Sequence, residues 1–328
     1  MHIVAAPDKF RGTATAAEVA RAVVVASEQM GATADAAPMA DGGEGTLEVV
    51  GGANRTTTVT GPLGDPVEAP WRLHRHTAVV EMAQASGLAL VGGAEENDPL
   101  GATTYGTGEL IEAALERGAR RILVGVGGSA TTDGGLGALR ALYPTQRLKG
   151  VELSVACDVR TRFTDAAELF GPQKGASPSQ VELLRRRLER LSQVYAETYG
   201  VEVGDLEGSG AAGGLAGGLV CVGAELCNGF ELLAEEVDLY DRIEQADLVV
   251  TGEGALDATS LEGKVVGGVG EMAAAAGVPV LTIVGRTDGE AVPAGGDLVS
   301  LSERFGADQA MADTARLVGE VVLDYLRS

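Results

Sequence analysis

Short apolar stretches that lead into glycine-rich loops and then into helix-like segments recur along this 328-residue chain. The pattern begins at residues 3–6 and returns at 121–125, 248–251 and 278–284. Apolar strands that alternate with helices predict a mainly parallel sheet covered by helices on both faces. The sequence therefore indicates an α/β protein.

Capping boxes mark two of the helix starts. The box at Thr15–Glu18 predicts a helix that runs to about residue 29. The box at Ser177–Gln180, with proline at the first helical position, predicts a helix that ends at Gly200. This second helix carries one apolar stripe, which predicts packing against a core: Val181, Leu184, Leu188, Leu191 and Tyr195.

Residues 54–92 have a different pattern. They contain a β-branched run at 56–60, a Gly-Pro-Leu-Gly-Asp-Pro turn at 61–66 and an apolar run at 78–82. This pattern predicts antiparallel strands of a second, smaller subdomain. The tiny residues at 209–218 predict either a helix packed closely on another backbone or a phosphate-facing loop, and both alternatives stay open.

Charge and cysteine content narrow the class of protein. The net charge of −22 argues against nucleic acid or an anionic membrane as partner, because both require a basic surface. Three scattered cysteines suggest neither a disulfide framework nor a zinc site. No apolar run has membrane-spanning length, and the N-terminus does not resemble a signal peptide. We expect a cytoplasmic protein that binds a small molecule, and homo-oligomerisation stays open.

The tripeptide Asp-Gly-Gly occurs twice, at Asp41–Gly43 and at Asp133–Gly135, and a helix-like stretch follows each copy. A carboxylate beside uncovered backbone N–H groups can hold a phosphate together with its Mg²⁺. The same tripeptide also suits a tight turn at a helix start. Two copies, with acids and hydroxyls around them, favour phosphate chemistry.

Lysine is rare in this chain, since only four of the 25 basic residues are lysine. Lys9, Lys174 and Lys264 lie in glycine-containing, loop-like motifs. A lysine retained where arginine dominates suggests a site that needs a compact, mobile ammonium group, and phosphate contact is the usual need of this kind.

Known nucleotide motifs give one alternative. The single Gly-Lys pair, at 263–264, lacks the rest of a Walker A loop. Residues Gly125–Ala130 match the G-x-G-x-x-A form of the dinucleotide fingerprint after an apolar strand. An NAD(P)-binding oxidoreductase therefore stays open as an interpretation.

Five motifs in order, taken together, resemble one family. They are Ala6–Gly12, Pro38–Thr46, Gly125–Gly135, Phe170–Ala176 and Thr251–Gly254. The set is similar to the bacterial type 1 glycerate kinases, of the glycerate 2-kinase kind, in a shortened form. The resemblance implies transfer of the γ-phosphoryl group of ATP, with Mg²⁺, to D-glycerate, usually at its 2-hydroxyl.

The resemblance also implies a Rossmann-like lobe with a mainly parallel sheet, a smaller α/β lobe, and an active site in the cleft between them. We assign residues 1–47, 147–205 and 238–328 to the Rossmann-like lobe, and residues 48–146 with 206–237 to the second lobe.

Departures from the family pattern affect the choice of substrate. The region 136–165 is shortened, and Ala255 and Glu262 stand where the family commonly carries Arg and His. The loss of positive charge near an anion site leaves the identity of the acceptor open. A kinase for a related small hydroxy acid and a non-catalytic ligand sensor therefore stay open.

Phosphoryl transfer depends on positioning and charge neutralisation, which divides the candidate residues by role. We predict Asp41 as the base or hydroxyl-orienting residue, with Asp257 as its rival and Lys9 beside them. The predicted substrate-binding residues are Asp8, Lys9, Arg11, Glu44, Thr46 and Ser129. The predicted nucleotide-binding residues are Gly127, Gly128, Asp133, Lys174, Glu253 and Lys264. Asp133 and Glu253 are also the predicted magnesium ligands.

Overall fold

A computed structural model describes residues 1–257, 260, 264–287, 289 and 296–327. Its strands are β1 (His2–Ala5), β2 (Thr33–Ala36), β3 (Arg55–Thr60), β4 (Pro66–His74), β5 (Thr77–Glu81), β6 (Arg121–Gly125), β7 (Glu152–Ala156), β8 (Glu225–Cys227), β9 (Leu248–Leu256), β10 (Val280–Thr287) and β11 (Gly296–Ser300). Its helices are α1 (Ala16–Gln29), α2 (Thr46–Val49), α3 (Ala83–Ser86), α4 (Tyr105–Glu116), α5 (Leu136–Ala141), α6 (Ala166–Phe170), α7 (Pro178–Tyr199), α8 (Ala211–Val220), α9 (Gly229–Glu236), α10 (Leu239–Glu244), α11 (Val265–Ala276), α12 (Leu301–Phe305), α13 (Ala307–Ala312) and α14 (Thr314–Arg327). Short 3₁₀ segments lie at Leu88–Val91, Thr145–Leu148 and Pro172–Lys174. In the described part of the chain, no helix combines the length and the apolar character that crossing a membrane requires.

The chain divides into two compact units. Unit 1 comprises Met1–Asp41, Glu48–Val50 and Gly229–Ser328, and unit 2 comprises Gly42–Leu47 and Gly51–Asn228.

Unit 1 contains a parallel sheet whose described strands run in the order β11-β10-β9-β1-β2. Counted within the unit, this is the order 2-1-3-4-5 of doubly wound flavodoxin-like folds. In such sheets the connections change direction between the first and the third strand, which here are β1 and β9. Ligands bind at the carboxyl ends of the strands at this switch point.

Alternate side chains of this sheet enter two different cores. Ile3 and Ala5 of β1 pack with residues of α1 and α14. Val4 packs with residues of α9, α10 and α11 on the opposite face. The sheet is therefore covered on both faces, which confirms the α/β prediction. Burial of both faces explains why the central strands β1, β9 and β10 contain nearly continuous apolar runs.

The first predicted helix is confirmed as α1. The Thr15 hydroxyl accepts a hydrogen bond from the N–H of Glu18, and the Glu18 carboxylate accepts one from the N–H of Thr15. This reciprocal cap satisfies two N–H groups at the helix start and fixes where α1 begins.

Unit 2 contains a mixed sheet whose described strands run in the order β3-β4-β5-β6-β7-β8. The pairs β3–β4 and β4–β5 are antiparallel, as predicted for residues 54–92. The pairs from β5 to β8 are parallel. β5 pairs along its length with β6 and so joins the antiparallel strands to the parallel strands in one sheet, both within the residues 48–146 that were assigned to the second lobe.

The division between units also differs from the assigned lobes. Residues 147–205 were placed with the Rossmann-like lobe, but β7 pairs in register with β6 and belongs to unit 2. The boundary at residue 238 likewise moves to Gly229, because Phe230 and Leu233 of α9 are buried in the core of unit 1.

Helix α7 confirms the second capping box. Ser177 caps the N-terminus, and Gly200 ends the helix in the left-handed conformation. The predicted stripe packs as expected, with Leu184, Leu188 and Tyr195 fully buried.

The tiny residues at 209–218 form a kinked helix packed closely on another backbone, the first of the two alternatives, and a phosphate-facing role stays a prediction. Residues 212–214 have left-handed backbone angles, and regular helix continues to Val220. A Cβ on Gly213 would lie 2.1 Å from the Thr131 carbonyl oxygen. Small side chains at this point therefore let the segment pack directly on the backbone of residues 131–135.

Candidate active site

A cavity of about 670 Å³ lies in unit 1, at the carboxyl ends of β1 and β9. This is the switch point of the unit 1 sheet, where its topology predicts a ligand site. All seven candidate residues that belong to unit 1 line this cavity: Asp8, Lys9, Arg11, Asp41, Glu253, Asp257 and Lys264.

Backbone hydrogen bonds bring the first two motifs of unit 1 together. The N–H of Asp8 donates to the Gly252 carbonyl at 2.8 Å, which keeps the chain after β1 beside β9. The N–H of Met39 donates to the Pro7 carbonyl at 2.8 Å, which keeps the chain after β2 beside β1. Asp41 thereby reaches the same cavity as Asp8 and Lys9.

Lys9 lies between two carboxylates. Its Nζ is 4.0 Å from Asp8 Oδ1 and 4.0 Å from Asp41 Oδ1. The N–H of Lys9 donates to Asp8 Oδ1 at 2.7 Å, which fixes the Asp8 side chain. Burial nevertheless raises the pKa of Asp8 to about 6, and the charge of Lys9 limits that rise.

Glu253 is the most unusual acid of the cavity. Burial raises its pKa to about 7, a hydrogen bond from Ser260 opposes the rise, and the charge of Asp8 adds to it. Its Oε1 is buried and has no hydrogen-bond partner among the described residues. A buried oxygen of this kind suits a cation or a donor brought in by a ligand.

Asp257 is exposed and forms a local turn with Ser260. The Ser260 N–H donates to Asp257 Oδ1 at 3.2 Å, and the Asp257 N–H donates to Ser260 Oγ at 3.2 Å. Ser260 thus contacts both Asp257 and Glu253. Lys264 follows along the chain at the N-cap position of α11.

Asp133 lies in unit 2, and protein donors surround its carboxylate. Oδ2 accepts from the N–H of Thr104 at 2.9 Å and from the N–H of Gly137 at 3.1 Å. Oδ1 accepts from the N–H of Gly135 at 3.0 Å, and the Thr104 hydroxyl donates at 2.9 Å to Oδ2. These bonds cap the start of α5 and fill most of the carboxylate's lone pairs. This geometry favours a structural role for Asp133 over its predicted role as a magnesium ligand.

Lys174 also lies in unit 2 and is fully buried. Its ammonium donates to the Thr131 carbonyl at 2.6 Å. Burial lowers its pKa to about 7, and the charge of Asp133 opposes this. Asn97 holds the same loop, because its Nδ2 donates to the carbonyls of Ala130 and Lys174. Lys174 therefore tethers the Asp133 loop, and its predicted triphosphate contact stays a prediction.

The glycines of the first Asp-Gly-Gly pack on the loop after β6, within unit 2. A Cβ on Gly125 would lie 2.7 Å from the Gly42 carbonyl oxygen, and a Cβ on Gly127 would lie 2.6 Å from Gly43 Cα. The Thr46 hydroxyl donates to the Gly43 carbonyl at 2.8 Å, which closes this turn. The structure therefore brings two of the predicted motifs into contact.

The remaining unit 2 candidates differ in exposure. Glu44 and Gly128 are exposed, whereas Thr46 and Ser129 are buried. Their predicted roles in binding substrate or nucleotide stay predictions.

The dinucleotide interpretation does not fit the loop after β6. In that fingerprint the helix begins within the glycine-rich turn, so that its N-terminus meets the pyrophosphate. Here α5 begins only at Leu136, and the N–H of Ala130 donates to the Ser86 carbonyl. The motif match therefore reflects glycine-rich packing.

Sequence reasoning missed five polar residues of the cavity: Thr13, Ser260, Arg286, Ser302 and Thr314. No sequence motif marks Ser260, because Asp257 and Glu253 become its neighbours only through the turn at Asp257. Arg286 lies on β10 and enters the cavity only through the pairing of β10 with β9. Ala255 lines the cavity and is exposed, whereas Glu262 lies outside the described residues.

The model of the glycerate kinase family matches residues 3–145 and 143–326, which is nearly the whole chain. The chain belongs to the glycerate kinase family. It is therefore an enzyme, and the order of its five motifs agrees with that assignment.

Curated relatives agree with the family. The chain is 40% identical over 325 residues to the glycerate 2-kinase of Escherichia coli K12, an alignment that covers 87% of this chain and 85% of that protein. It is 38% identical over 325 residues to a glycerate kinase of Bacillus subtilis 168, with 87% and 85% covered. A crystal structure assigned as glycerate kinase 2 from Salmonella typhimurium LT2 matches with a TM-score of 0.85 at 34% identity, covering 100% of this chain and 97% of that one.

Proposed function

We propose that this chain transfers the γ-phosphoryl group of ATP to D-glycerate, in a magnesium-dependent reaction that yields 2-phosphoglycerate. One structural observation carries the proposal: four acids and four basic side chains line one cavity at the switch point of a doubly wound sheet. Phosphoryl transfer needs this mixture of cations for phosphate oxygens and acids for metal and proton. The name of the Escherichia coli relative, glycerate 2-kinase, supports the 2-position.

Asp41 is the proposed base. Its side chain is 29% exposed, so an acceptor hydroxyl can reach it, and Lys9 lies 4.0 Å away. As the hydroxyl oxygen forms its bond to the γ-phosphorus and the bond to ADP breaks, the hydroxyl proton moves to Asp41. Lys9 holds the Asp41 carboxylate in position through the ion pair between them. Asp257 is exposed and forms hydrogen bonds with Ser260, and it is the alternative base.

Lys264 is the proposed triphosphate contact. It lies in the cavity at the start of α11, a helix of 12 residues. The first N–H groups of a helix carry partial positive charge, so this end attracts phosphate and Lys264 adds a full charge. Arg11, exposed beside Asp8 and Lys9, is proposed to meet the anionic acceptor.

Glu253 is the proposed magnesium ligand. Among the described residues no group of three or more His, Cys, Asp or Glu side chains forms a ready-made metal site. Mg²⁺ usually takes only one or two carboxylates from the protein and completes its shell with phosphates and water. Glu253, whose Oε1 has no hydrogen-bond partner in the described part of the chain, fits this use. When bound there, Mg²⁺ would neutralise phosphate charge.

A direct assay tests the proposal. Purified protein is mixed with ATP, Mg²⁺ and D-glycerate, ADP release is followed, and the product is assigned by ³¹P NMR. We expect ADP release that depends on both D-glycerate and Mg²⁺, with 2-phosphoglycerate as product. Binding of D-glycerate without turnover would instead support a sensor. Turnover of another hydroxy acid at higher kcat/KM would replace D-glycerate as the substrate.

A further inference from the structure

Arg286 is a basic residue of the unit 1 cavity to which no role has been given. It lies near the end of β10, is exposed, and lines the cavity together with Arg11 and Lys9. No described residue forms a hydrogen bond or an ion pair with its guanidinium group. An arginine in a cavity that has no partner among the described residues is available to a ligand.

The strand register places Arg286 next to Ala255. Arg286 on β10 pairs with Ala255 on β9, and paired residues of neighbouring parallel strands point to the same face. Ala255 carries only a methyl group, so the space beside the Arg286 side chain stays open. A longer side chain at 255 would extend from the same face of the sheet as Arg286.

Close backbone packing brings the segment of Arg11 beside Gly254, the residue before Ala255. A Cβ on Gly254 would lie 3.1 Å from the Arg11 nitrogen, and a Cβ on Gly285 would lie 2.4 Å from the Gly254 carbonyl oxygen. The segments that carry Arg11, Ala255 and Arg286 are therefore in direct succession across the carboxyl end of the sheet. Both arginines line the same cavity as Ala255.

We propose that Arg286, together with Arg11, binds the carboxylate of the acid acceptor and thereby selects a hydroxy acid over an uncharged alcohol. This inference rests on the proposed function and names the residue that gives it acid specificity. Guanidinium groups match carboxylates because two parallel N–H donors meet two oxygens.

The charges of the cavity explain why this contact is needed. Asp8, Asp41, Glu253 and Asp257 line the same space, and the whole chain carries a net charge of −22. An anionic acceptor would be repelled from such a site unless cations faced it. Lys9 already lies 4.0 Å from two carboxylates, so its charge is largely balanced within the protein. Arg286 has no such partner among the described residues.

The primary test is Arg286→Ala, assayed with D-glycerate and with D-glyceramide, in which an uncharged amide replaces the carboxylate. We expect kcat/KM for D-glycerate to fall about 10- to 100-fold, mainly through KM, as for the loss of a charged hydrogen bond. The value for D-glyceramide and the KM for ATP should stay within about twofold. Arg286→Lys should lie between, because lysine keeps the charge but not the planar pair of donors.

A transplant variant makes the test specific to position. The double variant Ala255→Arg/Arg286→Ala moves the arginine from position 286 to its paired position 255 on the neighbouring strand. The two backbone positions are about 5 Å apart. We expect this variant to recover at least a third of the D-glycerate kcat/KM lost in Arg286→Ala. Failure to recover would overturn the assignment of this face to the carboxylate. The matched control is Arg21→Ala, since Arg21 is exposed on α1 and does not line the cavity.

The outcomes separate the inference from the proposed function. If the wild type phosphorylates D-glycerate and Arg286→Ala leaves its KM unchanged, the inference is overturned while the function stands. If only the KM for ATP rises, Arg286 binds a phosphate and the carboxylate assignment is overturned. If the wild type shows no turnover, calorimetric binding of D-glycerate decides: weaker binding by Arg286→Ala supports the inference, and equal or absent binding overturns it.

Discussion

The two Asp-Gly-Gly tripeptides place their aspartates in opposite surroundings. Asp41 lines a cavity of unit 1, remains 29% exposed, and has the Lys9 ammonium 4.0 Å away. Asp133 accepts hydrogen bonds from Thr104, Gly135 and Gly137 in unit 2, and these bonds organise the start of α5. The same three residues thus provide an acid facing a ligand cavity in one case and a structural cap in the other.

The first glycines of the two copies are alike, whereas of the second glycines only Gly135 has positive φ. Gly42 and Gly134 both have positive φ, at 85° and 66°. A Cβ on Gly42 would lie 2.5 Å from Ala156 Cβ, and one on Gly134 would lie 2.4 Å from Leu191 Cδ2. The tripeptide therefore specifies a tight, closely packed turn, and the surroundings of the aspartate decide its chemistry.

The largest expected effect is on catalysis at Asp41. Asp41→Asn should lower kcat by about 10²- to 10⁴-fold, since a positioned general base contributes this much and an amide cannot accept the proton. Chemical denaturation should show almost unchanged stability, because the side chain is partly exposed. Steady-state kinetics with ATP and D-glycerate measure the effect.

Asp65→Asn is the control for Asp41→Asn, since Asp65 is exposed in the turn between β3 and β4. Near-wild-type kcat in Asp41→Asn would remove Asp41 as base and transfer the role to Asp257.

The second-largest expected effect is a loss of stability on replacing Asp133. Asp133→Ala leaves several buried N–H and hydroxyl donors without an acceptor, so we expect the free energy of unfolding to fall by about 3 kcal/mol. Urea denaturation measures it. A stable Asp133→Ala protein that has lost magnesium-dependent turnover would break the comparison, because Asp133 would then act in catalysis as Asp41 is proposed to do.

Features that depend on local sequence were predictable. The capping boxes at Thr15 and Ser177 fixed the starts of α1 and α7, because the side chain and the N–H group it caps lie within one turn. The alternation of apolar strands and helices predicted the doubly wound sheet of unit 1 for a similar reason, since each βα unit is a local pattern.

Features that depend on strand pairing and burial were not predictable. Residues 147–205 were assigned to the wrong lobe because the partner of β7 is β6, about 30 residues earlier in the chain. Lys174 resembled a phosphate-binding lysine because a glycine follows it, and sequence does not show that its ammonium is buried against the Thr131 carbonyl. Arg286 was missed because its position in the cavity comes from its register with Ala255.

A smaller effect is expected at Lys174, and it depends on pH. Its pKa falls from 10.5 to about 7 on folding, so between these pH values the unfolded chain binds more protons than the folded chain. Stability contributed by Lys174 therefore rises with pH over this window. Lys174→Met lacks this titrating group. From pH 7 to pH 10, we expect the free energy of unfolding of wild type to rise by about 2 kcal/mol relative to that of Lys174→Met.

Lys149→Met is the matched control, because Lys149 is the exposed lysine of the same unit. A pH-independent difference between wild type and Lys174→Met, measured by urea denaturation, would show that the ammonium is solvated in solution, as a ligand-binding lysine would be.

The smallest expected effect is on stability, at Asp8. Replacing Asp8 should raise the free energy of unfolding, whereas replacing Asp133 should lower it. Burial raises its pKa from 3.8 to about 6, so between these pH values the folded chain binds more protons and stability falls as pH rises. Asp8→Asn removes this cost. We expect the variant to be more stable than wild type by about 1 kcal/mol above pH 6, with the advantage lost below about pH 4.

Urea denaturation of wild type, Asp8→Asn and Asp133→Asn across this pH range completes the comparison. A gain at Asp8 with a loss at Asp133 would mean that the cavity of unit 1 holds its acids at a cost in stability, as ligand sites do, whereas unit 2 uses its acid to fold. A loss at both positions above pH 6 would instead mean that Lys9 stabilises ionised Asp8 more than burial destabilises it, and the two aspartates would then be equivalent structural groups.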